Sequence, residues 1–274
     1  MKFKVLTIIL FVVVLTCNVP AQAEDQYRFG VFPYLPPSKL LQLFIPIAND
    51  LSSKLGKKVR VTSKPDYKSF REGLNEEQYD IAFVQPFDYV QAHDLYQYQP
   101  LAKREQDLSA LIIVPIQSEL KSLDDLKGRV IANPPKIAAV SHLTSMALVD
   151  KGIDPQKDVQ RLYTKNHFSC MQSVLIGTAD ACGTAAQAMA HFEEKEMTKR
   201  FRVLHQTKPV SHSLFVAHTR VPESDRKLIQ QTILSWADTE AGKEILKNGK
   251  FISFVAAEDH DYDTIRTFWQ RQEQ

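Results

Sequence analysis

The stretch Lys58 to Ala92, "KVRVTSKPDYKSFREGLNEEQYDIAFVQPFDYVQA", decides how this chain folds. "KVRVTSKP" alternates apolar and polar side chains like a half-buried strand and stops at Pro65. "YKSFREGLNEEQ" reads as a helix, and "YDIAFVQP" as a buried strand that breaks at Pro86. Strand, helix, strand in that order predicts two parallel strands joined by a helical crossover.

The same alternation extends in both directions. Upstream, "YRFGVFPY" is a short β-type run ending at Pro33, and "SKLLQLFIPIANDLSSKLG" an amphipathic helix closed by Gly56. Downstream, "SALIIVPI", "RVIANPP", "AAVSHLTSMALVDKG", "VQRLYTK", "FSCMQSVLIG", "ADACGT" and "FRVLHQT" continue it. From about Asp225 the chain turns mostly helical. We read no internal repeat, low-complexity tract or Gly/Ser linker in it. The expected class is α/β, with mainly parallel sheets flanked by helices.

Residues 1–23 combine Lys2 and Lys4, an apolar run from Val5 to Leu15, and Pro20 before Ala21-Gln22-Ala23. That is the pattern of a secretory signal peptide cleaved near Ala23, with the periplasm as destination. Acylation at Cys17 is the weaker reading, because Thr16 precedes it. Removing Lys2 and Lys4 takes the 34 basic residues to 32, equal to the 32 acidic ones. The basic residues are dispersed, which argues against a nucleic-acid partner. Cys170 and Cys182 then remain as a candidate disulfide in an oxidising compartment. A redox pair is the alternative, without a C-x-x-C spacing to support it.

In open parallel sheets, ligands bind beyond the carboxyl ends of the strands. Four such ends carry proline: Pro33-Tyr34, Pro65-Asp66-Tyr67, Gln85-Pro86-Phe87 and Asn133-Pro134-Pro135. Together they would form one rim.

From about Glu24 the chain resembles the phosphate, phosphite and phosphonate solute-binding proteins of ABC transporters, a branch of the type 2 periplasmic binding fold. The resemblance rests on "RFGVFPY", "LSSKLGKKV", the stretch from Lys64 to Ala92, "PLA", "LIIVPIQSELKSLDDLKGRVIA", "GIDP" and "HFSCMQSVLIGTADA", in family order and spacing. It implies two lobes that close on a ligand, residues 24–112 with 214–274 and residues 113–213, hinged at "SALIIVPI" and "SLFVAHT". It also implies a monomer without cofactor or metal that captures a small-molecule ligand and delivers it to an ABC transporter permease. The alternative within the same fold is a sensory receptor reporting to a membrane signalling partner.

The resemblance places Tyr67 on the bound oxyanion and His167 in the pocket. Where phosphonate binders carry a Ser-Thr-Ser-Gly anion loop, this chain reads "PPKIAAVSHLT", leaving Ser141 and His142 as candidate donors at a helix start, with Thr144 nearby. Gln187 and Ser213 stand where relatives that read an alkylammonium carry carboxylates, so 2-aminoethylphosphonate should bind poorly. Tyr34, Gln85 and Phe87 complete the expected ligand set. No catalytic motif occurs: there is no G-x-S-x-G, zincin helix, P-loop or dinucleotide glycine fingerprint. "EDHDYD", residues 258–263, reads as a solvated acidic turn, and His205, His212 and His218 as unconnected.

Overall fold

A computed structural model describes residues 26–190 and 199–272. The signal-peptide reading falls outside the described residues, as does the side chain of Gln187. The first half runs β1 (Gln26–Val31), α1 (Pro37–Leu55), β2 (Lys58–Ser63), α2 (Tyr67–Asn75), β3 (Ile81–Val84), α3 (Pro86–Tyr96) and β4 (Tyr98–Arg104). Then come β5 (Leu111–Pro115), β6 (Val130–Asn133), α4 (Ala139–Asp150), β7 (Gln160–Tyr163), α5 (His167–Leu175), β8 (Ala181–Thr184), α6 (Ala186–Ala190) and β9 (Phe201–Gln206). The chain ends on β10 (Leu214–His218), α7 (Glu223–Leu234), α8 (Glu240–Gly249), β11 (Phe254–Ala256) and α9 (Asp263–Gln272).

Two sheets result, ordered β11-β4-β10-β3-β1-β2 and β7-β6-β8-β5-β9. Both are mixed rather than mainly parallel. The crossover units pair in parallel, β1 with β2 and β3, and β6 with β7 and β8. β10 runs antiparallel to β3 and β4, and β5 antiparallel to β8 and β9. The reversal has a simple cause: β5 and β10 follow the passages from one sheet to the other and enter their sheets from the opposite end. Those passages, just before β5 and β10 rather than within them, pair with each other. Leu108 N–H donates to Val210 O at 2.7 Å, and Val210 N–H to Leu108 O at 3.0 Å.

Aromatic rings dominate the first core: Phe83 lies 4.9 Å from Phe215, and Phe215 lies 5.9 Å from Trp236. The second sheet has a smaller core on each face, and one of them contains the Cys170–Cys182 disulfide, with the two Cα atoms 5.7 Å apart. It ties α5 to β8, as a helix running back along its strand permits. Replacing both cysteines by alanine should lower stability by about 3 kcal/mol, from the entropy of the short loop the bridge closes. An unchanged denaturant midpoint in the double variant would refute this.

The structure also corrects the reading that no internal repeat exists. Asp66 caps α2 by accepting from Ser69 N–H at 2.8 Å, and Asn166 caps α5 by accepting from Ser169 N–H at 2.9 Å. Asp80 accepts from Arg28 N–H at 2.7 Å ahead of β3, and Asp180 from Val130 N–H at 2.8 Å ahead of β8. The two halves repeat one unit through its cap and turn bonds; the apolar residues between them differ. "EDHDYD" is also more than a solvated turn. Tyr262 is buried, and Asp259 accepts from Tyr89 and Arg266.

Candidate functional site

The carboxyl ends of the first sheet's strands face the start of α4 and α5 across a cavity of about 60 Å³. This is the space of roughly two waters. The repeated unit supplies one ring from each side, because Tyr67 and His167 are the first residues of α2 and α5, each following its capping residue. Tyr34, Gln85, Arg104, His212 and Ser213 also line the cavity, and the second lobe adds Ala138, Ala139 and Val140.

Among the charged lining groups, Arg104 stands alone. It ends β4, is 7% exposed, and among the described residues meets no carboxylate and no side-chain hydrogen-bond partner. Its guanidinium lies 5.0 Å from the Phe251 ring centre. Burial pulls its pKa down to about 10. No Asp or Glu lines the cavity among the described residues.

Two further donors point the same way. The Tyr34 hydroxyl is buried and unpartnered among the described residues, and burial pushes its pKa up, so it remains a neutral phenol. His212 accepts Ser213 N–H on Nδ1 at 2.6 Å, which places the proton of the neutral ring on Nε2. That Nε2 is buried and likewise without a described partner. The His167 ring is fixed by the Thr184 hydroxyl 2.9 Å from Nδ1. One uncompensated cation among neutral donors is an environment suited to an anion.

Gln85 spans the two lobes. Its Nε2 donates to Ile137 O at 2.8 Å and to Asp88 Oδ2 at 2.9 Å, while its Oε1 accepts from Ala139 N–H at 2.8 Å. Burial pushes the Asp88 carboxyl up, against the Arg71 guanidinium that pairs with it at 2.6 Å. The first N–H of α4 is therefore occupied by a side chain from the opposite lobe.

Of the residues expected at the ligand, Tyr34, Tyr67, Gln85, His167 and Ser213 line the cavity; Phe87, Ser141 and His142 do not. Ser141 turns its hydroxyl to the carbonyls of Pro134 and Pro135, at 3.1 and 3.0 Å. The Phe87 ring stacks on His142 at 4.6 Å, on the far side of α4. Helical geometry explains the split: Ala139 and Val140 face the cavity, so the next residues face away. Sequence reading missed Arg104 because "YQPLAKR" does not read as a strand, and His212 because it reads as one of three unconnected histidines. The carboxyl-end rule, applied to β4, would have found Arg104. His218 lies near Glu77, 3.1 Å away, rather than with the other histidines.

Buried neutral histidines make stability depend on pH. Desolvation pulls His167 down to about 4, and desolvation followed by Arg71, Arg161 and Lys136 pulls His142 down to about 3. Between pH 6.5 and about 4 the unfolded chain binds these protons and the folded one does not. Their contribution is therefore complete above pH 6.5 and is lost as pH falls through that window, at up to about 1.4 kcal/mol per pH unit for each ring. The melting temperature should drop between pH 6.5 and 4.5, and His167→Gln should flatten the slope. An equally steep profile in that variant would assign the loss to other groups.

The profile of the phosphonate ABC-transporter periplasmic substrate-binding proteins matches residues 29–262. The chain belongs to this family. Substrate binding for transport, not catalysis, is what the phosphonate-binding family does, and its members are periplasmic. Among solved structures, a binding protein component of an ABC phosphonate transporter from Pseudomonas aeruginosa is similar, with TM-score 0.80, 18% identity, and 91% of this chain and 87% of that one covered. PhnD1 from Prochlorococcus marinus in complex with methylphosphonate gives TM-score 0.81 at 18% identity, covering 91% of this chain and 99% of that one. The periplasmic aliphatic sulphonate binding protein SsuA from Escherichia coli gives 0.66 at 16% identity, covering 90% and 93%. At such identities the likeness is one of fold, the two-lobed type 2 architecture.

Proposed function

We propose that this family member captures a small oxyanion of the phosphonate or phosphate type between its lobes and presents it to an ABC transporter permease. Tyr34, Tyr67, Arg104, His167, His212 and Ser213 form the ligand shell, and Gln85 joins the lobes around it. The observation that carries this reading is the buried Arg104 guanidinium, without a carboxylate partner among the described residues, at the wall of the cavity. A bound oxyanion supplies the missing charge. The lobes are residues 24–112 with 214–274 and residues 113–213, and closure between them is the event a permease would recognise.

The small cavity and the absence of a lining carboxylate among the described residues favour compact anions over those with a cationic tail. Phosphate, phosphite, methylphosphonate, sulfate and 2-aminoethylphosphonate should be compared by thermal shift, since selective binding raises stability by mass action. Compact oxyanions should give the larger shifts, and 2-aminoethylphosphonate should bind at least about tenfold more weakly than methylphosphonate. A ligand without negative charge that stabilises the wild type and Arg104→Gln alike would overturn the reading.

A further inference from the structure

A second groove, of about 1120 Å³, lies on the other side of α4 and shares no lining residue with the ligand cavity. Lys136, His142 and Arg161 line it from the second lobe, and Arg71 and Trp269 from the first. Arg161 has its terminal nitrogens held by neutral oxygens alone: Asn133 Oδ1 at 2.8 Å, Ser145 Oγ at 2.8 Å and Ser141 O at 3.3 Å. Among the described residues no carboxylate pairs with it. Arg71 already pairs with Asp88, and Asp154, the one carboxylate lining the groove among the described residues, pairs with Lys157 at 3.3 Å.

Two donors, Arg161 Nε and Trp269 Nε1, and one ring nitrogen, His142 Nε2, are buried and unpartnered here among the described residues. The His142 and Trp269 rings lie 5.2 Å apart. A buried donor left unmade is costly, so its convergence with others on one groove calls for an acceptor. Uncompensated Arg161 and exposed Lys136 specify the sign of that acceptor.

We propose that this groove is a second anion site, separate from the transport cavity, which takes a multivalent oxyanion of the phosphate and pyrophosphate class. Arg161 and Lys136 supply charge, and Trp269 supplies a directed donor. Since the walls come from both lobes, an anion seated here holds them together.

Inorganic pyrophosphate, titrated calorimetrically into the full mature Arg104→Gln protein, tests the site with the cavity's own cation removed. Binding is expected there. It should weaken about tenfold or more on adding Arg161→Gln or Trp269→Phe, the loss expected for one hydrogen bond to a charged group. Because Arg161 also braces Asn133 and Ser145, Trp269→Phe serves as the gentler variant, removing one N–H and retaining an aromatic ring. No binding to the Arg104→Gln protein, or binding that survives both second substitutions, would overturn the site. Neither result would bear on the transport cavity, whose own test is the loss of methylphosphonate binding in Arg104→Gln alone.

Discussion

Arg104→Met is expected to weaken oxyanion binding by a hundredfold or more while raising the melting temperature of the unliganded protein. The two effects have one cause. A guanidinium that is 7% exposed has given up much of its hydration, and among the described residues it has the Phe251 ring beside it but no carboxylate. Replacing such a charge with a flexible apolar side chain of similar length removes the desolvation cost, stabilising the fold by about 1–2 kcal/mol. For a protein of this size that is a rise of roughly 3–6 °C. The bound oxyanion, however, would lose its one full positive partner inside a low-dielectric cavity, and truncating one side of a buried charge pair costs at least about 2–5 kcal/mol. Calorimetry with the best anion of the panel and a thermal melt without it would read both numbers. A variant with both lower stability and full affinity would show that Arg104 is a structural residue.

Much of the architecture was legible because strands and helices alternate with clear periodicity and proline marks the strand ends. Tyr67 and His167 are placed by the family resemblance, and the structure supplies the physical reason: each follows a capping Asp or Asn that fixes the start of its helix at the cleft. The misplacements trace to side-chain direction, which spacing does not reveal. Ser141 and His142 belong to the expected helix start, yet the helical turn carries them to its rear face while Ala139 and Val140 meet the cavity. Arg104 was hidden in "YQPLAKR", where Pro100 and alternating polar residues mask a strand paired on both sides, with β10 and β11. The mixed sheets were invisible for a different reason: strand direction depends on which end of the sheet a passage enters, and that is a long-range property.

Gln85→Leu should weaken ligand binding by roughly 30- to 100-fold and enlarge the unliganded protein in solution. The amide makes two contacts to the second lobe and one to Asp88, and its three bonds exist together only when the lobes are closed. Leucine keeps the volume and removes the bonds, leaving Ala139 N–H and Ile137 O without their partner in the closed form. In an open form water can reach both groups, so the penalty, about 2–3 kcal/mol, falls on closure rather than on folding. The apparent dissociation constant then rises by the factor through which the closed population falls. X-ray scattering should show a larger radius of gyration without ligand and the wild-type radius at saturation, because a saturating ligand still draws the lobes together. This recovery separates a latch from a simple contact: if Gln85 only touched the ligand, affinity would fall with no change in the unliganded radius. If Asp88, still held by Arg71, supported closure without the amide, neither quantity would move.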